Sequence, residues 1–102
     1  MADVEVTDHP EQTRYEARVD GALAGFVDYQ LTSELSVLTH TEVDPAYEGQ
    51  GVGSALARAA LDDVRARGLK ALVICPFITG WIGHHREYAD LLYGAPKSTA
   101  TD

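Results

Sequence analysis

The chain has 102 residues, 45% of them hydrophobic, and a formal net charge of −8. That length predicts one domain with a small core, and the acidic balance argues against a nucleic-acid surface, which rewards clustered Lys and Arg. No apolar run approaches the roughly 18 residues of a membrane helix, there is no basic-then-apolar leader, and the single cysteine, Cys75, has no internal partner, so the expectation is a cytoplasmic protein without a membrane partner.

The charge is uneven along the chain. Residues 1–48 carry eleven acids against two bases, whereas residues 49–102 carry five acids against six bases. The second half is therefore less hostile to an anionic ligand. The first half reads as a solvated face, or as a surface suited to a cationic partner.

Residues 3–8 (Asp-Val-Glu-Val-Thr-Asp) alternate as a short strand broken by His9-Pro10. Residues 13–19 set Tyr15, Ala17 and Val19 against Arg14, Glu16 and Arg18, the pattern of a half-buried strand. Asp20-Gly21 is a hairpin signal. Ala24–Leu31 and, after the polar break Thr32-Ser33-Glu34, Leu35–Val43 read as two more strands. The first 43 residues thus predict an antiparallel meander.

Pro45 removes a backbone donor and stops the ladder. Gly49, Gly51 and Gly53 then alternate with other residues, and apolar residues recur at helical spacing at Val52, Leu56, Ala59, Ala60 and Val64. Arg65, Arg67 and Gly68 form the stop, which predicts a helix over 53–67. Glycine-loosened amides that open a helix make an anion site, because the first-turn N–H groups lack intrahelical partners and the macrodipole adds about half a positive charge. Leu69–Cys75 is a nearly continuous apolar run, expected of a strand covered on both faces, which Pro76 ends. Strand, helix and strand make a βαβ unit with parallel strands and a right-handed crossover. Residues 77–92 predict one broken or two short helices packed on the sheet, with Gly80 and Gly83 at the break. From Gly94 the chain is polar, which divides it into a domain over 1–93 and a tail over 94–102.

Three glycine-turn families compete for the anion. A P-loop needs Lys after its last glycine, where Ser54 stands. A dinucleotide fingerprint places its third glycine on Ser54 and would not follow an antiparallel meander. The third candidate fits: Gln50-Gly51-Val52-Gly53-Ser54-Ala55 resembles the Q/R-x-x-G-x-G/A segment of the GNAT superfamily of acetyl-CoA-dependent N-acetyltransferases, and Val43-x-Pro45 resembles the strand end before it. The chain is similar to a short single-domain branch of that superfamily from about residue 3 to residue 92. The branch carries His-Thr-Glu-Val (40–43), Cys75-Pro76-Phe77 and His-x-Glu-Tyr (85–88), and Arg86 stands where these relatives usually carry Pro.

The resemblance implies a mixed α/β GNAT-like fold with splayed parallel strands, binding acetyl-CoA and passing its acetyl group to an amine acceptor. It places the CoA pyrophosphate on the amides of Gln50, Gly51, Val52, Gly53, Ser54 and Ala55. Pantetheine would lie in the splay, pairing with main chain near Glu42 and Val43. Arg58 either reaches the 3′-phosphate or is an exposed helical arginine. The N–H near Val43 is the natural oxyanion donor, and alternation puts His40 and Glu42 on one strand face, to relay the amine proton or merely to pack and be solvated.

Cys75 ends the parallel strand beside the splay, where the helical start after it would lower a thiol from its usual value of about 8.5. That allows an acetyl-cysteine intermediate; the alternative is a small buried hydrophobe. Tyr88 is either a general acid or an aromatic contact of Trp81. His84 and His85 resemble a metal pair only superficially, so no metal is expected. The helices that wall the acceptor groove in ordinary relatives are missing here. The acceptor site is expected to be open, suited to a protein lysine, a polyamine or a partner subunit such as a homodimer mate. The competing reading is a non-catalytic CoA-binding or acyl-sensing module.

Overall fold

The computed structural model describes residues 3–94. Its elements are β1 (Val4–His9), β2 (Arg14–Val19), β3 (Ala22–Leu31), β4 (Leu35–Val43), α1 (Val52–Ala66), β5 (Lys70–Val73), α2 (Pro76–His84) and a closing 3-10 turn, Arg86–Leu91. The polar tail expected after Gly94 lies outside the described residues. One five-stranded sheet runs in the order β1-β2-β3-β4-β5. The first four strands are antiparallel and β5 is parallel to β4, the expected meander followed by a βαβ unit.

Local chemistry sets the turns. Asp20 and Gly21 both take positive φ, 51° and 83°, as a two-residue hairpin with primed geometry requires. So short a turn lets β3 begin at Ala22, two residues before the sequence expectation. At the end of α1, Gly68 takes φ 71° and its N–H reaches Arg65 O at 3.1 Å, while Leu69 N–H reaches Val64 O at 3.1 Å. These two bonds close the helix.

One layer of core lies between α1 and the sheet. Val52, Leu56, Ala57, Ala60, Leu61 and Val64 are buried against Tyr15, Ala17, Val19, Val27 and Leu38. Gly25 permits the close approach, since a β-carbon there would stand 2.6 Å from Glu42 O and 3.2 Å from Leu56 Cδ1. At the edge of the layer Tyr15 donates to Asp63 (2.7 Å) and Tyr29 to Asp8 (2.6 Å), and Arg67 bonds both carboxylates. Burial and then those carboxylates push both phenols well above the usual tyrosine range.

Among the described residues no helix covers the far face of the sheet. The apolar run at 69–75 therefore does not mark a strand covered on both sides. Leu72 and Ile74 face outward, Ile74 at 60% exposure, and among the described residues β5 is an edge strand with a single bridge from Ala71 to Leu92 beyond it. Residues 77–92 do form two short helical pieces, docked on α1 through Arg65, which pairs with Asp90 at 3.0 Å and bonds Glu87 O. The Arg65 guanidinium holds the Asp90 carboxyl below the usual carboxylate range.

These features predict three stability outcomes. Gly25→Ala should cost about 1–3 kcal/mol in urea unfolding, because the new methyl meets backbone. Ser36 is fully buried and its hydroxyl has no partner, so Ser36→Ala should be neutral or stabilising by up to about 1 kcal/mol, and a clear loss would mean that the oxygen is satisfied in solution. The depressed Asp90 carboxyl contributes stability above its unfolded pKa of about 3.9 and loses it as pH falls through the lower folded value. Asp90→Asn should therefore flatten the acid limb of a pH–stability curve without altering the plateau shape near neutrality.

Candidate functional site

The parallel ladder ends at the Leu38–Val73 pair. Leu38 O then accepts from both Ile74 N–H (2.9 Å) and Cys75 N–H (3.2 Å). Pro76, which has no N–H to continue pairing, leads the chain into α2 as its first residue. Pro76 thus starts the helix as well as stopping the strand. On β4 an extra residue, Thr39, sits between the Asp28–His40 and Tyr29–Leu38 pairs, a bulge that bends the strand there. From Thr39 to Val43 the β5 side of β4 is vacant.

Asp44 N–H donates to Ala24 O at 2.8 Å. Antiparallel alternation then commits the main chain of Glu42 and His40 to β3 and turns the N–H and C=O of Thr41 and Val43 toward the vacant edge. The exposed main chain is therefore that of Thr41 and Val43. Glu42, expected to share it, faces β3 instead.

The turn before α1 meets this edge. Asp44 caps a 3-10 turn, Pro45–Tyr47, by accepting from Ala46 N–H at 2.9 Å. Gly49 and Gly51 both take φ 82°, and Gly51 caps α1 without a side-chain hydrogen bond to its first-turn amides. Gln50 N–H donates to Tyr47 O (3.3 Å) and Ala55 N–H to Gly51 O (3.0 Å). Those two amides are spoken for, which narrows the expected set to Gly51, Val52, Gly53 and Ser54, whose amides carry the positive end of the α1 dipole.

A cleft of about 630 Å³ joins the two features, lined by Thr41 and Val43 on one side and Gly51–Ser54 at its end. Its other wall is α2. Phe77 and Trp81 on that helix and His85, which caps its C-terminal end, recur every fourth residue, and all three line the cleft. Phe77 is 44% exposed, and its ring lies against Gly53 so closely that a β-carbon there would stand 2.7 Å from Cζ. Trp81 Nε1–H donates to Ser54 Oγ at 2.9 Å, and His85 stacks on Trp81 at 3.8 Å with planes 9° apart. Sequence reading set Phe77 and Trp81 down as packing residues and His85 as half of a superficial metal pair. The four-residue recurrence is the signal it did not use.

The proposed catalytic side chains fall in three places. Cys75 is 3% exposed at the cap of α2, and its thiol donates to Thr41 Oγ1 at 3.0 Å, which ties it to the vacant edge of β4. His40 and Glu42 approach each other at 3.3 Å on the uncovered sheet face, well exposed and outside the cleft lining. Tyr88 is not among the residues that line the cleft. Its hydroxyl donates to Asp62 at 2.7 Å and accepts from Arg58 at 3.3 Å, its ring packs against Trp81, and Asp62 followed by burial raises its pKa. Tyr88 thus has an aromatic contact in Trp81, and Arg58 has a partner in the Tyr88 hydroxyl.

Residues 14–91 match the GCN5-related N-acetyltransferase family profile. The chain belongs to this family. It is 47% identical over 45 residues to Protein NATD1 of Gallus gallus, a match covering 44% of this chain and 41% of that one, and equally identical over 45 residues to Protein NATD1 of Homo sapiens. The matched segment thus spans about two fifths of these relatives. Among solved structures, a ribosomal-protein alanine N-acetyltransferase from Escherichia coli superposes with a TM-score of 0.57 at 28% identity, covering 59% of this chain and 39% of that one. A GCN5-like protein from Staphylococcus aureus shares the fold over the whole of both chains, with a TM-score of 0.68 at 20% identity. For a GCN5-related domain the vacant edge of β4 and the bare α1 terminus are the parts that face the cleft.

Gly53 has two possible reasons to lack a side chain, bare amides and the Phe77 ring, and a double-mutant cycle separates them. If Phe77 is the reason, Gly53→Ala alone should lower the unfolding midpoint and Phe77→Ala in the same chain should restore it, with a coupling of about 1 kcal/mol or more. Additive losses would assign Gly53 to the ligand alone.

Proposed function

We propose that this domain binds acetyl-CoA in the cleft and transfers its acetyl group to an amine. The observation that carries the reading is the meeting, in one cleft, of four uncommitted amides at a helix N-terminus with an unpaired strand edge. The first suits a pyrophosphate and the second suits the amide-bearing pantetheine arm. The arm adds itself to β4 where β5 has left, and the thioester comes to rest near Val43 and Cys75.

In the transfer step the amine nitrogen attacks the thioester carbonyl. A C–N bond forms, the C–S bond breaks, and the electron pair leaves with sulfur. The N–H of Val43 or Thr41 at the vacant edge holds the oxyanion. The proton released by nitrogen passes to His40, with Glu42 beside it stabilising the imidazolium. Both lie on the uncovered sheet face, from which an acceptor can approach without crossing the CoA side. The side-chain donors at the edge are the Thr41 hydroxyl and the Cys75 thiol, which replace Tyr88 as candidates to protonate the departing thiolate.

The burial of Cys75 and its bond to a hydroxyl rather than to a base favour direct attack over an acetyl-cysteine intermediate. The acceptor reading is a lysine side chain or polyamine, reached through the open face.

A thiol-release assay across a panel of amines and peptides tests the reaction. Turnover should fall about 100-fold in Glu42→Gln and His40→Ala and persist in Cys75→Ser, whose intact mass, like that of the unaltered chain, should show no acetyl adduct. An adduct lost on Cys75→Ser would instead establish the covalent route. CoA binding with no thiol release for any amine would leave a carrier-binding module without turnover.

A further inference from the structure

Resting on the carrier reading above, we infer that His85 is a phosphate-binding residue of the cleft, contributing a donor that exists only in its doubly protonated form. Its Nδ1 lies 2.9 Å from Trp81 O. A carbonyl can only accept, so Nδ1 carries a hydrogen in every state that keeps this bond. The ring is also fixed in plane by its stack on Trp81. Nε2 makes no hydrogen bond among the described residues and belongs to a side chain that lines the same cleft as the amides of Gly51–Ser54. Neutral, Nε2 is an acceptor and repels phosphate oxygen; protonated, it donates to one.

The placement along the carrier follows from α2. Its first residues stand at the thioester end, beside Cys75 and Thr41, and Trp81 is bonded to Ser54 at the phosphate turn. His85, one turn further, falls at the phosphate-bearing end. The charged and titratable groups around it are Glu48 on the turn before α1, which lines the same cleft, Arg58 of α1, 5.3 Å from the centre of the Trp81 ring, and Tyr88 of the closing turn, tilted against Trp81 and paired with Asp62. His84 and Arg86 flank it in sequence. Tyr88 meets His85 only through its backbone N–H, which donates to His85 O at 3.1 Å, and no side chain of this set bonds to the His85 ring among the described residues. A phosphate arriving at Nε2 would be the partner that favours the imidazolium, so binding should take up a proton.

The test is calorimetry on the full chain with CoA, dephospho-CoA and pantetheine. Two substitutions divide the ring between them: His85→Asn keeps a donor near the Nδ1 position and removes Nε2, whereas His85→Gln places an amide donor near Nε2. At about pH 6 His85→Asn should weaken CoA binding about tenfold and leave pantetheine binding unchanged, and His85→Gln, whose amide donor does not titrate, should recover most of that loss and hold its affinity up to about pH 8. Wild-type affinity for CoA should rise from about pH 8 to about pH 6, with proton uptake that His85→Asn abolishes. Loss confined to CoA identifies the 3′-phosphate as the partner; equal loss with dephospho-CoA identifies the pyrophosphate. CoA binding by His85→Asn as tight as wild type, or an equal loss of pantetheine affinity, overturns the assignment and leaves a ring that merely braces Trp81. A wild-type chain that binds none of the three overturns the carrier reading itself.

Discussion

At Leu38 a single carbonyl takes two amide hydrogens, from Ile74 and Cys75, and the residue after them is a proline. No third donor can follow, so the parallel ladder stops there while β4 runs on to Val43. The bulge at Thr39 adds its bend at the same level. An unpaired strand edge inside a domain is a cost, since backbone polar groups seek partners. The fold tolerates it because the edge opens into a cleft where water or an amide-bearing ligand can satisfy it. Every other property of the site depends on that parting of the strands: the cleft's volume, the exposure of Phe77 and the position of Cys75.

The second support is the packing of α1. Its buried stripe holds it so close to the sheet that Gly25 has no room for a β-carbon, and that closeness brings the bare first turn level with the vacant part of β4. A side chain capping α1 would satisfy one of the free amides and occupy the space. Glycine at the cap leaves that satisfaction to a ligand, at a cost of only a few tenths of a kcal/mol relative to a side-chain cap. Trp81 then fixes the opposite wall through its bond to Ser54. The cleft is thus held at a definite width by α1 on one side and the Trp81–Ser54 bond on the other.

Much of this was legible in the residues. Asp20-Gly21, the break at 32–34, the glycine turn and the Arg65–Gly68 stop each name a local backbone state, and local states are what sequence encodes most directly. Pro76 was read as the end of the strand with a helix starting after it, and the structure makes it the first residue of that helix, where proline is well suited. What was not legible depends on contacts between distant elements. The outward face of β5 looked buried because an apolar run does not say how many layers cover it. For Tyr88 the residues left two roles open, general acid or contact of Trp81, and only the position of Asp62 on α1 shows that its hydroxyl has a carboxylate partner. The α2 stripe was hidden for a different reason: in a nine-residue helix with two glycines, the four-residue recurrence spans barely two turns.

Charge is where chain order misleads most. The first 48 residues look like an acidic block, yet the fold neutralises much of it from within. Arg67, at the end of α1, folds back onto Asp8, and Arg14 pairs with Asp28. Glu16 is nearly buried on the uncovered face; burial alone would raise its carboxyl, but Arg18, His9 and Arg14 together hold it below the usual range. Arg14 in turn lies 3.9 Å above the Phe26 ring. Around Glu16 and Asp28 the uncovered face therefore presents compensated ion pairs rather than a bare acidic patch, while the net charge of the chain, which sets the long-range field, is unchanged by that pairing. What that face offers an incoming group is then short-range: beside the vacant edge His40 and Glu42 stand 3.3 Å apart and well exposed, with the His40 ring against Phe26.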